Sequence, residues 1–166
     1  MTTATFVEKE ILELISPTDF SGTMAEAFVG ADVFIGVSAP NLVTKEMVAS
    51  MNDGNIVFPM ANPEPEITYA EAIAGGASVV GTGRSDFPNQ INNVLAFPGL
   101  FRGAFTAEAK KITPRMKLAC AHAIADSIPY GELNSDYIIP SAFDENVVDL
   151  ITMKVVEAAR KDGVTR

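Results

Sequence analysis

Cysteine and histidine occur once each in these 166 residues, as Cys120 and His122. A single cysteine excludes an internal disulfide and accords with a reducing cytoplasm. One cysteine and one histidine also fall short of the usual zinc ligand sets, so no metal ligands are assigned. Positive charge is scarce. Twelve Lys and Arg stand against 21 Asp and Glu, a formal charge of −9, whereas a nucleic-acid binder needs surplus cations to neutralise phosphates. The scarcity is uneven: residues 1–101 hold only Lys9, Lys45 and Arg84 against twelve acids, and residues 102–166 hold nine of each sign. No apolar run approaches the ~18 residues of a membrane span. Glu8, Lys9, Glu10 and Glu13 break up any signal-peptide core. With 48 % hydrophobic and 20 % charged residues, the composition is that of a soluble folded domain rather than a disordered chain. The length suits one domain that buries roughly 68–70 % of its unfolded surface.

What is present is an alternation of helix starts and apolar runs. Thr23-Met-Ala-Glu26 and Thr68-Tyr-Ala-Glu71 have the spacing of capping boxes. Ala31–Val37, Ile56–Met60 and Ser78–Val80 are continuous apolar runs, the pattern of strands buried in a parallel sheet. Thr44–Met51 reads as a helix stopped by Asn52-Asp-Gly54, and the helix from Thr68 ends at Gly75-Gly76. This alternation predicts right-handed βαβ units and an α/β, doubly wound parallel sheet of Rossmann-like type. Beyond Pro88 the pattern turns helical: Asn89–Phe97, then Thr113-Pro114 opening a helix to about Ser127, and a last helix over Asp144–Lys161. In such sheets ligands sit beyond the carboxyl ends of the strands. That rim holds Val37–Pro40, Met60–Pro63 and Gly81–Asp86.

Common motifs fail on this rim. Gly81-Thr-Gly83 begins a dinucleotide fingerprint, but Asp86 stands where its third glycine belongs. Gly76 and Gly81 have P-loop spacing, yet Thr82 and Gly83 replace the Lys and Ser/Thr. Gly36-Val-Ser38-Ala-Pro40 approximates a nucleophile elbow with Pro in place of the last glycine. A hydrolase built on Ser38 and His122 is therefore a minor alternative. Glu64 and Glu66, flanked by prolines, read as solvated, and Cys120 and His122 as helix packing and helix surface. Amides carry more weight. Asn62 ends a strand, and Asn92-Asn93 would pay a propensity cost inside a helix. An uncharged amide offers two donors and an acceptor to a carboxylate or a carboxamide.

Four segments together resemble malic enzyme: Gly30–Pro40, Ala61-Asn-Pro-Glu-Pro-Glu-Ile67, Gly83-Arg-Ser-Asp-Phe-Pro-Asn-Gln90 and Asn92-Asn-Val-Leu-Ala-Phe-Pro-Gly99. Tyr137-Ile-Ile-Pro-Ser-Ala-Phe-Asp144 is similar to that family's C-terminal signature. The resemblance implies residues 1–166 are part of a bacterial-type NAD(P)-binding domain. It implies oxidative decarboxylation of malate to pyruvate and carbon dioxide, with NAD or NADP as hydride acceptor and Mg or Mn polarising the substrate. By the same resemblance Val37, Ser38 and Ala39 lie along the dinucleotide, Asn62 touches nicotinamide and substrate, and Asn93 binds malate. The family's catalytic tyrosine and lysine, its acidic metal ligands and its glycine-rich turn have no counterpart here, so no catalytic residue is assigned. The expectation is a C-terminal portion that lacks the first strands of the nucleotide fold and is inactive alone. It would need the absent N-terminal half or another protomer. An open sheet edge and uncovered apolar surface then predict a homo-oligomer or aggregate. Alternatives are a non-catalytic nucleotide- or partner-binding module and a malolactic enzyme fragment. The residue that senses the ribose 2′ position follows the second strand of such folds, so NAD and NADP both stay open.

Overall fold

The computed structural model describes residues 20–142 and 144–166. The charged stretch Glu8–Glu13 and Phe143 of the Tyr137–Asp144 segment lie outside them. Helix α1 (Met24–Phe28), strand β1 (Val33–Gly36), helix α2 (Lys45–Ala49), strand β2 (Ile56–Pro59), helix α3 (Tyr69–Ala74) and strand β3 (Val79–Val80) follow in chain order. The three strands are parallel in the order β1-β2-β3. This is the Rossmann-like α/β arrangement expected.

Local chemistry sets the helix starts. At α1, the Glu26 N–H donates to Thr23 Oγ1 at 3.3 Å, and the Thr23 N–H donates back to the Glu26 carboxylate at 2.7 Å. At α3 the Glu71 N–H likewise donates to Thr68 Oγ1, but the return bond runs from the Thr68 hydroxyl to the Glu71 carboxylate.

The strand register sorts side chains onto two faces. Phe34, Val57 and Val80 share one, where Phe28, Val48 and Ala72 from the three helices, with Met51 just past α2, close a buried cluster. Each large apolar side chain buried there contributes roughly 1.5–3 kcal/mol. Val33, Ile56 and Val79 share the other face, with Ile35 and Phe58 next along it. There Val33 is 48 % and Ile35 61 % exposed. The apolar runs thus anticipate burial on both faces, while helices α1–α3 cover one.

The remainder is helical but differently divided from expectation. Asn89–Phe97 is not a helix. Asn89 has φ +55°, and only Asn93–Leu95 makes a single 3-10 turn. Helix α4 instead spans Phe97–Thr106, followed by α5 (Pro114–Asp126) and α6 (Glu145–Lys161). The three pack around a second buried cluster that includes Leu100, Met116, Ile151 and Val155. Pro98, Gly99 and Gly103 hide α4 from any propensity argument. Packing explains it. A Cβ on Gly99 would lie 2.6 Å from Ile151 Cβ, and one on Gly103 2.7 Å from Val155 Cβ and 2.9 Å from the Thr152 carbonyl oxygen. The glycines let α4 sit against the backbone of α6. Helix propensity alone predicts that Gly103→Ala stabilises by about 1 kcal/mol. Overpacking at such distances costs about 1–3 kcal/mol. Net destabilisation is therefore expected in thermal melts, and a raised Tm would contradict this packing.

No described helix is long and apolar enough to cross a membrane. Arg102 pairs with Asp149 at 2.7 Å, both exposed, and the exposed Arg115 pairs with the half-buried Asp162 at 2.6 Å, so these cations line a solvated helix face.

Candidate functional site

The carboxyl ends of β1, β2 and β3 each pass into a loop, and the chain then returns to the rim after Asn89. Thr82 bridges to Gln90 as a parallel pair, and the Ile91 N–H donates to the Thr82 carbonyl at 2.7 Å. The return sets Ile91, Asn92 and Asn93 beside Val37, Met60–Pro63 and Thr82–Arg84, around a cleft of about 420 Å³. That volume lies within the range of small-molecule sites.

Val37, Asn62 and Asn93 all line this cleft. Ser38 and Ala39 do not. The two asparagines of the tandem pair divide their tasks. Asn92 Oδ1 accepts the Val94 N–H at 3.1 Å and caps the 3-10 turn, so it needs no ligand to account for it. Among the described residues the side-chain amides of Asn62 and Asn93 have no partner. Both positions are exposed. The Asn62–Pro63 peptide bond is cis.

Ser38 is turned elsewhere. Its N–H and its hydroxyl both donate to Glu66 Oε1, at 2.7 and 3.1 Å. The Ala61 N–H donates to Glu66 Oε2 at 3.0 Å. Glu66 is completely buried, which corrects its reading as a solvated loop residue. The prolines around it hid this, and the trace it leaves in the sequence is distant, at Gly36. A Cβ on Gly36 would lie 2.5–2.7 Å from the three Glu66 carboxyl atoms. Burial pushes the Glu66 carboxyl up, but the N–H bonds from Ser38 and Ala61 outweigh it and hold the group below the usual glutamate range. A Ser-His hydrolase is not assembled: the Ser38 hydroxyl faces Glu66, and His122 lines a separate shallow groove with Arg115 and Lys154. Cys120 is buried, and that burial raises its thiol pKa, so it packs rather than reacts.

Asn89 is a buried residue that sequence reading passed over. Its Nδ2 donates to the carbonyls of Val80 and Ser135 at 3.0 and 2.8 Å, and its Oδ1 accepts the Ile138 N–H at 2.9 Å. One side chain thereby ties the end of β3 to the Asn134–Tyr137 turn. Its positive φ is one that asparagine tolerates better than most side chains.

Charge at the cleft is slight. Arg84 lines it, but Nε and Nη2 donate to the two Asp86 oxygens at 2.9 and 2.8 Å. The guanidinium also lies 5.8 Å from the Phe87 ring, which stacks on Tyr69. Among the described residues, none that lines the cleft is a carboxylate, lysine, tyrosine or histidine, so none of them takes up or releases a proton near neutrality. Among the described residues no three His, Cys, Asp or Glu converge, and the cleft's donor set of amides, a hydroxyl and an arginine does not fit a hard divalent cation.

Comparison with known proteins places this geometry. Residues 19–160 match the family model described as malic enzyme, NAD binding domain. The chain is 49 % identical over 160 residues to the bifunctional malic/malolactic enzyme of Bacillus subtilis, covering 96 % of this chain and 39 % of that protein. It is 50 % identical over 158 residues to the NAD-dependent malic enzyme of Geobacillus stearothermophilus, covering 95 % and 33 % respectively. The structure of an NAD-dependent malic enzyme from Thermotoga maritima superposes with a TM-score of 0.86 at 41 % identity, over 93 % of this chain and 40 % of that one. The chain thus spans about a third to two-fifths of the length of these relatives. A family model that covers most of the chain, and relatives at such identity, make it a member of the malic enzyme NAD-binding domain family.

Proposed function

We propose that this chain forms the nicotinamide and malate side of a malic enzyme site, and that turnover needs groups it does not itself supply. The observation that carries this reading is the pair of unpartnered amides, Asn62 and Asn93, on one cleft at the carboxyl ends of a parallel sheet. A carboxamide meets an amide through reciprocal donor and acceptor pairs, and a malate carboxylate accepts from an amide NH2. Val37, Met60 and Ile91 supply apolar wall for the flat nicotinamide ring, with Val37, Ser38 and Ala39 along the dinucleotide. The fit is to the nicotinamide end of NAD or NADP; among the described residues the rim offers a pyrophosphate only Arg84, already paired with Asp86. When bound, the dinucleotide supplies the hydride acceptor. The residues of this chain orient the substrate and the ring against each other, and proton transfer falls to residues outside the cleft.

Mg or Mn belongs to this reading only through ligands beyond the described residues, because the cleft does not suit it. The bifunctional relative from Bacillus subtilis makes malolactic conversion the second reading, and the two share this half of the site. The sheet face bearing Val33 and Ile35 favours association with another protomer or with the rest of a complete enzyme, in the cytoplasm. Purified chain is expected to bind NADH saturably and to form no NADH from NAD, malate and Mn at 340 nm. Malate-dependent NAD reduction by the purified chain would overturn the half-site reading. Light scattering should find oligomers rather than a clean monomer.

A further inference from the structure

We propose that Glu66 is the positioning residue of the cleft, its carboxylate clamping the loop after β1 to the loop after β2 so that Val37 and Asn62 line one space. This role rests on the reading of the cleft as a nicotinamide and malate site. A buried carboxylate is a costly filler, since desolvation disfavours the charge unless donors replace the lost water. None of the ion pairs among the described residues reaches Glu66. The donors are instead two backbone N–H groups and one hydroxyl, and they come from the two rim loops. Ser38 directly follows Val37, and Ala61 directly precedes Asn62. Each oxygen has its own loop: Oε1 takes Ser38 and Oε2 takes Ala61. A neutral amide cannot do both, because its NH2 would face an N–H donor. The fit is reciprocal, for the carboxyl occupies the space that any side chain on Gly36 would need. Gly36 and Glu66 therefore act as one device, and Gly36→Ala should mimic Glu66→Gln.

A residue that merely stabilised the fold would change melting without changing the affinity of molecules that remain folded. NADH fluorescence titrations of the full chain, run below each variant's melting transition, separate the two roles. Glu66→Gln and Gly36→Ala are expected to weaken NADH binding roughly tenfold to a hundredfold, the scale of losing one or two hydrogen bonds to the ligand. Thr113→Val is the control. It removes the N-cap of α5 and its bond to Asp162 in the helical half, lowering Tm while leaving NADH affinity unchanged. Wild-type affinity in folded Glu66→Gln and Gly36→Ala would overturn the positioning role.

A second measurement needs neither a variant nor a ligand. The Ser38 and Ala61 amide resonances of the wild-type chain should move together on acidification. Their shared midpoint should lie below the ordinary glutamate value, because Glu66 is held low. The clamp's contribution is complete above that ordinary value and is lost as pH falls through the depressed one. If wild-type chain binds no NADH, the functional reading falls and the amides alone decide. Joint titration upholds the clamp; resonances that move separately or not at all overturn it. The same criterion applies if Glu66→Gln does not fold.

Discussion

Asn62→Asp is expected to weaken malate binding by about a hundredfold or more, because a like charge set against a carboxylate in a confined site costs several kcal/mol. Asn62→Ala removes the amide hydrogen bond to the carboxylate without adding a charge, and its loss should be nearer tenfold, about 1.4 kcal/mol. The difference between the two substitutions separates charge from contact. The cleft has little with which to absorb an added negative charge, since Arg84 is already engaged by both oxygens of Asp86. The oxidised nicotinamide ring is cationic, so Asn62→Asp should affect NAD far less than malate. Calorimetric titration of both ligands against wild type and the two variants checks the order. Equal losses for malate in Asp and Ala variants would show that Asn62 does not face a substrate carboxylate.

The second large effect concerns folding. Asn89→Ala strands two carbonyls and one N–H in a buried or half-buried setting, and each such group costs about 1–3 kcal/mol. A total of about 3 kcal/mol or more is expected in denaturant unfolding. Asn89→Asp should be at least as damaging at neutral pH. It keeps the acceptor for Ile138 but sets a carboxylate oxygen against the carbonyls of Val80 and Ser135. Hydrogen exchange should show the damage first around residues 134–138, which lose their tie to β3. A loss below 1 kcal/mol for Asn89→Ala would mean that the turn is held by other contacts.

The strands and early helices were legible because their signals are local. Threonine at a cap with glutamate three residues on, and apolar runs between glycines, need no tertiary context. Position at the end of a strand was enough to single out Asn62. The helix α4 was not legible, because Gly99 and Gly103 are chosen by the surface of α6 rather than by helix propensity. The opposite error at Asn89–Phe97 has the same origin. An amide-rich stretch looks helical until Asn89 turns the backbone to positive φ and buries its side chain under β3. With no helix there, the cost of paired asparagines inside one falls away as an argument, and Asn92 is accounted for by its cap. Asn93 keeps its interest for another reason: its amide is unpartnered on the cleft. Glu66 shows the limit most clearly. Nothing within four residues of it signals burial, and the glycine that makes room for it lies 30 positions earlier.

The open sheet face was legible in a different way. Val33 and Ile35 alternate on the edge strand β1, with Val37 just beyond its end, and all three are exposed, where their apolar run predicts burial on both faces. Their exposure is the surface that the proposed association with another protomer or with the rest of the enzyme would cover.

One spectrum puts the half-site reading at risk. Isotope-labelled chain titrated with NADH, and then with malate, should shift the side-chain amide resonances of Asn62 and Asn93 together with the backbone amides of Val37 and Gly83. His122, Leu118 and Lys154, which line the separate groove between α5 and α6, should stay still. Shifts confined to that groove, or a spectrum unchanged at millimolar ligand, would contradict the assignment of the cleft.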